Sequence, residues 1–517
     1  MKKISPAYEY FLELVWSITL IGLPLTSFPG FARLTKSIVT PFSSFPAFIL
    51  LIMWFIPYIL RRGKLPVEGK PIFIFIFIAI ATSARAFFIH VPDIKNLAVT
   101  GQELRALFSL GIGIAFFFIF AAWPKSSKQL SKALQWIHIG GAILVVWTIF
   151  QAYYILRHAS NFPEWMYLIQ DRLVVRSPNF ASGVKRVVGL AYEPSWFAHQ
   201  MVLFYLPLWI AAAYEKKSVF NCRILGLSLE NILLVIGLCE FYMCSPRVSL
   251  ISFLLIIVML STKLNKNIYS RLIQVIAKGN VKSPKTALVV QIATGIMIGV
   301  VTAGIYTVMF AGIIYLGSQR DWRLALLTRY IPPWEEIKNV IILDEGTLIS
   351  YGNRLAFLGR MATWIAGWRI FNLYPWLGVG LGNAGFFIQD QMPSLGWATV
   401  EIRALLNDPN VLPSVKSLWL RVMTETGLAG LSTILVWIYL LWKSTRLSYH
   451  SIQPDQRIIA LAGELFLVAF ISEGFSVDYY AMPYLWAFAG LISSNGLIYR
   501  TQTKYAHISD ECAPITE

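Results

Sequence analysis

Long apolar runs, each broken off by a short polar stretch, recur along nearly the whole chain. About 20 such residues in a row suffice to cross the hydrocarbon core of a bilayer as a helix. By this criterion about twelve spans can be placed. They are Tyr10 to Phe31, Pro41 to Leu60, Pro71 to Val91, Ala106 to Ala122, Leu134 to Leu156, Leu190 to Tyr214, Ile224 to Cys244, Val248 to Thr262, Ala287 to Gly317, Ser417 to Trp442, Ile458 to Val477 and Tyr480 to Tyr499. The run from Ala287 is overlong, which predicts tilt or continuation beyond the membrane, and the run from Val248 is short. With 56% hydrophobic and only 14% charged residues, an ordinary soluble globule is excluded. The expected fold is all-α, a single polytopic membrane domain over residues 1–517.

Lys and Arg in short loops stay on the cytoplasmic side, and here they crowd every second connection. Lys2 and Lys3, then Arg61, Arg62, Lys64 and Lys70, then Lys125, Lys128 and Lys132 begin the series, which ends with Arg500 and Lys504. Both termini are therefore expected in the cytoplasm, with 263–286 as a basic cytoplasmic loop and 500–517 as a cytoplasmic tail. The long connections 157–189 and 318–416 are expected outside, the larger one carrying amphipathic helices. The opening MKKISPAYEYF runs into the first apolar stretch without a small-residue cleavage site and reads as a retained anchor. No internal repeat is visible, which counts against a transporter built from paired halves.

The net charge of +17 sits mainly in loops beside the membrane, where anionic headgroups are its natural partner. No basic-aromatic module points to nucleic acid. Cys222, Cys239, Cys244 and Cys512 have neither disulfide nor zinc spacing. With no HExxH, paired histidines or acidic cluster on the outer side, no metal or cofactor is expected. His158 and His199 stand alone and read as structural.

The polar residues of the outer connections carry the candidate chemistry. VKRVVGLAYEPSWFAHQ puts Lys185 and Arg186 just before the sixth span, with Glu193 in its first turn and Pro194 fitting a helix start. Either this is an interfacial basic pair with Glu193 offsetting a helix N-terminus, or Arg186 and Glu193 face an outward cavity, since an unpaired carboxylate at membrane depth is costly and a functional candidate by default. Further on, Asn353 is placed to cap a helix on which Arg360, Trp364, Gly367, Trp368 and Phe371 recur at helical spacing. That face either lies flat on the membrane with aromatic anchors or offers Arg360 as a fork for a diphosphate. Pro375, Gly378, Gly380, Gly382 and Asn383 make a turn that lets backbone N–H groups approach an anion or lets helices pack closely. Lys416 stands at the mouth of the tenth span. Arg421 and Glu425, four apart on a helix, are expected to pair with each other. Arg85, within the third span, and Arg247, at an outer turn, are further cations.

In this order these pieces resemble the O-antigen ligase and O-antigen polymerase superfamily of bacterial membrane glycosyltransferases, over roughly 186–430. The family's Arg-x-x-Gly followed by Glu-Pro-Ser corresponds to Arg186, Gly189, Glu193, Pro194 and Ser195. Its Arg-x-x-x-Trp, then Pro and Gly-x-Gly-x-Gly-Asn, corresponds to Arg360, Trp364, Pro375, Gly378, Gly380, Gly382 and Asn383. A histidine nine residues before Glu-x-Gly is replaced here by Lys416, with Glu425 and Gly427 in place. The resemblance implies a metal-independent, inverting transferase on the outer face of the cytoplasmic membrane. Such an enzyme passes a glycan from a polyprenyl-diphosphate donor to a saccharide or glycolipid acceptor, in lipopolysaccharide or exopolysaccharide assembly.

Such a transfer needs the leaving diphosphate neutralised by positioned cations. Arg186 and Arg360 are expected in that role, with Lys185, Arg85, Arg247, Gly378, Gly380, Gly382 and Asn383 contributing to substrate binding. Lys416 stands where the family's histidine acts as base. It is either a neutral base or a third cation; the cation is favoured, because a bound diphosphate opposes loss of its proton. Glu193 is then the matched carboxylate left to accept a proton. Two rival readings use the same cations differently: a transporter or flippase for a polyanionic glycan, and a non-catalytic member of an exopolysaccharide assembly complex.

Overall fold

The computed structural model describes residues 5–35, 39–92, 94–159, 161–176, 186–220, 222–244, 247–278, 284–319, 325, 333–342, 344–354 and 357–511. Among these the protein is almost entirely helical, its one sheet being the ribbon Arg223–Ile224 with Leu227–Ser228. Among the described residues seven helices are long and apolar enough to cross a membrane, which makes this a membrane-embedded protein. The chain divides into two compact units, Met1–Pro246 with Phe357–Glu517, and Arg247–Ala356.

In the first unit the span Pro194–Tyr214 is the central element, with 94% of its apolar window buried. It contains a π-helical turn, Met201–Tyr205, and its Phe204, Tyr205 and Trp209 are fully enclosed. Lipid tails are as apolar as leucine, so helices in a bilayer associate by close packing, which small residues permit. Gly113 of Val99–Ala122 lies against the Trp486 indole, and Gly490 of Pro483–Glu511 lies against the Phe117 carbonyl. A methyl group at either position would come within 2.6 Å of those atoms.

The span Leu418–Ser448 is broken at Gly427, which has φ 64 and ψ −162. A break frees backbone groups that lipid cannot satisfy. A glycine-rich segment satisfies them here: Val379 and Gly380 donate to the Thr424 and Glu425 carbonyls at 2.9 and 3.0 Å. Leu428 and Ala429 donate in turn to the Pro375 and Trp376 carbonyls at 2.8 and 3.3 Å. Outside the spans, Lys95 anchors the end of the short helix Val400–Asn407 by donating to the Leu405, Asp408 and Val411 carbonyls at 2.9, 2.7 and 2.5 Å.

In the second unit the helices Arg247–Lys278 and Pro284–Ser318 are joined side by side, with Asn265 donating to Thr302 at 2.7 Å and Tyr306 to the Val258 carbonyl at 3.2 Å. Residues 263–278, expected as a cytoplasmic loop, continue the helix begun at Arg247. Their charges mark where an apolar stretch stops and do not stop a helix. Asn353 lies inside the helix Glu345–Arg354 and caps nothing downstream. Asp344 holds the first turn of that helix instead, accepting from the Thr347 N–H at 2.9 Å and its hydroxyl at 2.7 Å, which keeps its carboxyl below the usual aspartate range.

Candidate functional site

A polar cavity of about 290 Å³ lies within the first unit, at the small end of the ~300–1,000 Å³ typical of ligand pockets. Its wall is built from the start of the central span, the helix Leu358–Leu373, the approach to the broken span, and the segment 474–482. Three of the four expected catalytic residues, Glu193, Arg360 and Lys416, meet there. His199, Asp478 and Tyr479 join them.

One joint organises this wall. The helix Pro454–Glu473 ends where Leu418–Ser448 begins. The Gly474 carbonyl accepts from the Leu418 N–H at 2.7 Å and the Ser417 hydroxyl at 3.2 Å. Ser417 is also the N-cap of the broken span. Lys416 immediately precedes it with φ 51, a left-handed conformation that costs a side-chain-bearing residue roughly 1–2 kcal/mol. Such strain persists where the surroundings dictate it; here the Trp364 indole donates to the Lys416 carbonyl at 3.5 Å. The Lys416 ammonium pairs with the exposed Glu401 carboxylate at 2.6 Å.

Arg360 donates to the Ser476 hydroxyl at 3.0 Å and has no carboxylate partner among the described residues. Its helix buries Ala362, Thr363, Ala366, Gly367, Ile370 and Phe371. The expected single face therefore splits: Gly367 and Phe371 pack inward, while Arg360 and Trp364 line or flank the cavity. Asp478 accepts from the Ser414 hydroxyl at 2.6 Å, and its carbonyl takes a hydrogen bond from Arg421. Arg421 also pairs with Glu425 at 3.0 Å, as the four-residue spacing predicts, and stacks over the Tyr480 ring at 4.6 Å. Both residues thus brace the segment 474–482. Burial, reinforced by the Asp478 and Glu193 carboxylates, pushes the Tyr479 hydroxyl above the usual phenol range, so it stays a neutral donor.

His199 carries the arrangement that the sequence hides. It is buried on the helix Pro194–Gln200. Its Nδ1 is hydrogen-bonded to the carboxylate of Glu473, a fully buried residue on another helix. Glu193 accepts a hydrogen bond from the Ser195 hydroxyl.

The remaining expected residues are elsewhere. Arg186 is half-buried and does not line the cavity; its charge reaches the Cys244 thiol, which donates to the Pro194 carbonyl at 2.8 Å. Lys185 lies outside the described residues. Arg247 opens the first helix of the second unit. Arg85 donates to the Gly378 carbonyl at 2.9 Å and so holds the glycine-rich turn.

That turn is packed against the broken span, and most of its amides are already paired within the protein. The N–H groups of Gly378, Val379, Gly380, Leu381 and Asn383 are occupied, by the Tyr374, Thr424 and Glu425 carbonyls, the Ser83 hydroxyl and the Gly380 carbonyl in turn. Gly378, Gly380 and Gly382 have φ of 65, 93 and 83. A methyl on Gly378 would lie 2.5 Å from the Thr424 carbonyl oxygen, and one on Gly382 2.7 Å from that of Gln102. Asn383 is buried and donates to Glu103 at 2.8 Å.

Comparison with protein-family models and with curated protein sequences gives no match to this chain, so its functional reading rests on the residues and geometry above.

Proposed function

We propose that this protein transfers a glycan from a polyprenyl-diphosphate donor to a saccharide acceptor on the outer face of a bacterial cytoplasmic membrane. It does so as an O-antigen ligase-like or polysaccharide polymerase-like enzyme. The chain crosses the bilayer about twelve times with both termini in the cytoplasm, following its alternating basic loops. The observation that carries the reading is the meeting of Arg360 and Lys416 with Glu193, His199 and Asp478 around one cavity. Arg360, without a carboxylate partner among the described residues, has a planar fork left for phosphate oxygens. Lys416 supplies a second positive charge. Both stabilise the diphosphate as it leaves, an effect that is strongest where water is scarce. Serine hydroxyls at 195, 414 and 476, with Trp196 edge-on to Tyr479 at 5.3 Å, give the cavity the hydrogen-bonding and aromatic surfaces that suit a sugar.

The test is incubation of the purified protein in lipid nanodiscs with a polyprenyl-diphosphate oligosaccharide and a saccharide acceptor. A new glycosidic bond with release of polyprenyl diphosphate supports the reading. In proteoliposomes, movement of the lipid-linked glycan without bond transfer would establish a transporter instead. Neither event would leave an assembly component.

A further inference from the structure

We propose that His199, oriented by Glu473, takes the proton from the attacking acceptor hydroxyl, work that the family resemblance assigns to a histidine where this chain has Lys416. The inference rests on the transfer reading above and adds the identity of its base.

A fully buried carboxylate is costly unless it is paired and hydrogen-bonded. His199 Nδ1 is the partner found for Glu473 among the described residues, and the other Glu473 oxygen, Oε1, is buried without one. With the proton on Nδ1 directed at the carboxylate, the ring presents the Nε2 lone pair. His199 lines the cavity, and Nε2 has no hydrogen-bond partner among the described residues. A base held by a buried carboxylate and open on its other nitrogen is the arrangement that activates hydroxyl nucleophiles on unrelated folds. The backbone agrees, since the π-helical turn Met201–Tyr205 starts two residues after His199 and such turns gather at functional sites.

The alternatives within the cavity are weaker. Lys416 is ion-paired with Glu401 at 2.6 Å, and an ammonium in that state has no lone pair to offer. Glu193 already accepts a hydrogen bond from the Ser195 hydroxyl, and among the described residues no second residue is found orienting it as Glu473 orients His199.

The acceptor oxygen forms a bond to the anomeric carbon of the donor while its proton passes to His199 Nε2. The bond from that carbon to the diphosphate oxygen breaks, and its electron pair leaves with the polyprenyl diphosphate, which gains one negative charge beside Arg360 and Lys416. The imidazolium then returns its proton to water.

The experiment measures kcat and donor KM for the wild type, His199→Ala and Glu473→Gln with the same lipid-linked donor. Replacing the base should lower kcat by about 10²–10⁴-fold with donor KM within a few-fold, and added imidazole should restore part of the loss in His199→Ala. Glu473→Gln, of equal size and neutral, should lower kcat by up to about 10⁴-fold, as loss of the carboxylate that orients a histidine base does. If His199→Ala fails to fold, Glu473→Gln decides the matter. Unchanged kcat in the folded variants, or a kcat that falls only together with donor affinity and does not respond to imidazole, overturns the dyad while leaving the transfer reading standing. No product from the wild type overturns both.

Discussion

Lys416 Nζ and Glu401 Oε1 stand 2.6 Å apart at the rim of the cavity, with Glu401 largely in solvent. In the proposed reading Lys416 serves as a cation for the leaving diphosphate. Replacement by arginine, which stays charged, should therefore keep partial transfer, whereas histidine should keep less and alanine least. Steady-state kinetics on the lipid-linked donor should show weakened donor binding alongside turnover. A Lys416→His variant that works while Lys416→Arg is dead would make Lys416 the base.

Arg360→Lys should lower kcat/KM by about 10- to 100-fold, the worth of a charge-assisted hydrogen bond that a point charge cannot reproduce. Its fold should survive, because the guanidinium's partner among the described residues is the Ser476 hydroxyl. Trp364→Ala, which removes packing against Phe357 and Phe475 and the bond to the Lys416 carbonyl, should lower melting temperature first. Near-normal turnover in Arg360→Lys would remove the forked contact from the mechanism.

Gly427→Ala should be among the most damaging small changes in the molecule. Its methyl would sit 2.3 Å from the Trp376 carbonyl in a left-handed conformation, costing on the order of 3 kcal/mol. Gly111→Ala is the contrast: nothing lies within 4 Å of its added methyl, and the substitution should be neutral or stabilise by up to about 1 kcal/mol. Thermal unfolding in detergent compares the two directly, and equal melting temperatures would contradict the packing role.

Single cysteines or tags placed after Gly63 and Lys504 should label from the cytoplasm, and those near Asn161 and Asn353 from outside, as the basic loops direct. Impermeant thiol labelling that puts Asn353 on the side of Gly63 would sink an outward-facing site.

Much of the cavity was legible because charges in an apolar chain are expensive, and Glu193, Arg360 and Lys416 stand out for that reason. His199 and Glu473 were not, since their bond joins residues 274 apart and each alone looks like a buried polar residue in a span. The glycine-rich turn was read as a site either for an anion or for close packing, and the close approach is what the structure displays; its partner, the break at Gly427, is a property of the folded chain. A free amide and one already bonded to Glu425 have the same sequence. The Arg421 and Glu425 pair needed only helical spacing, and spacing sufficed.

The break at Gly427 also makes completion of its span depend on tertiary docking. A continuous helix enters the bilayer with its backbone already satisfied, but the span Leu418–Ser448 exchanges hydrogen bonds with residues 375–380, which donate two and accept two. Those residues are synthesised first, so the template exists when the span emerges from the ribosome. Closing the break joins two separately made segments, making completion of this helix a tertiary event that fixes Ser417 and the cavity rim above it. Until that docking occurs, the chain can be fully inserted and still lack its site.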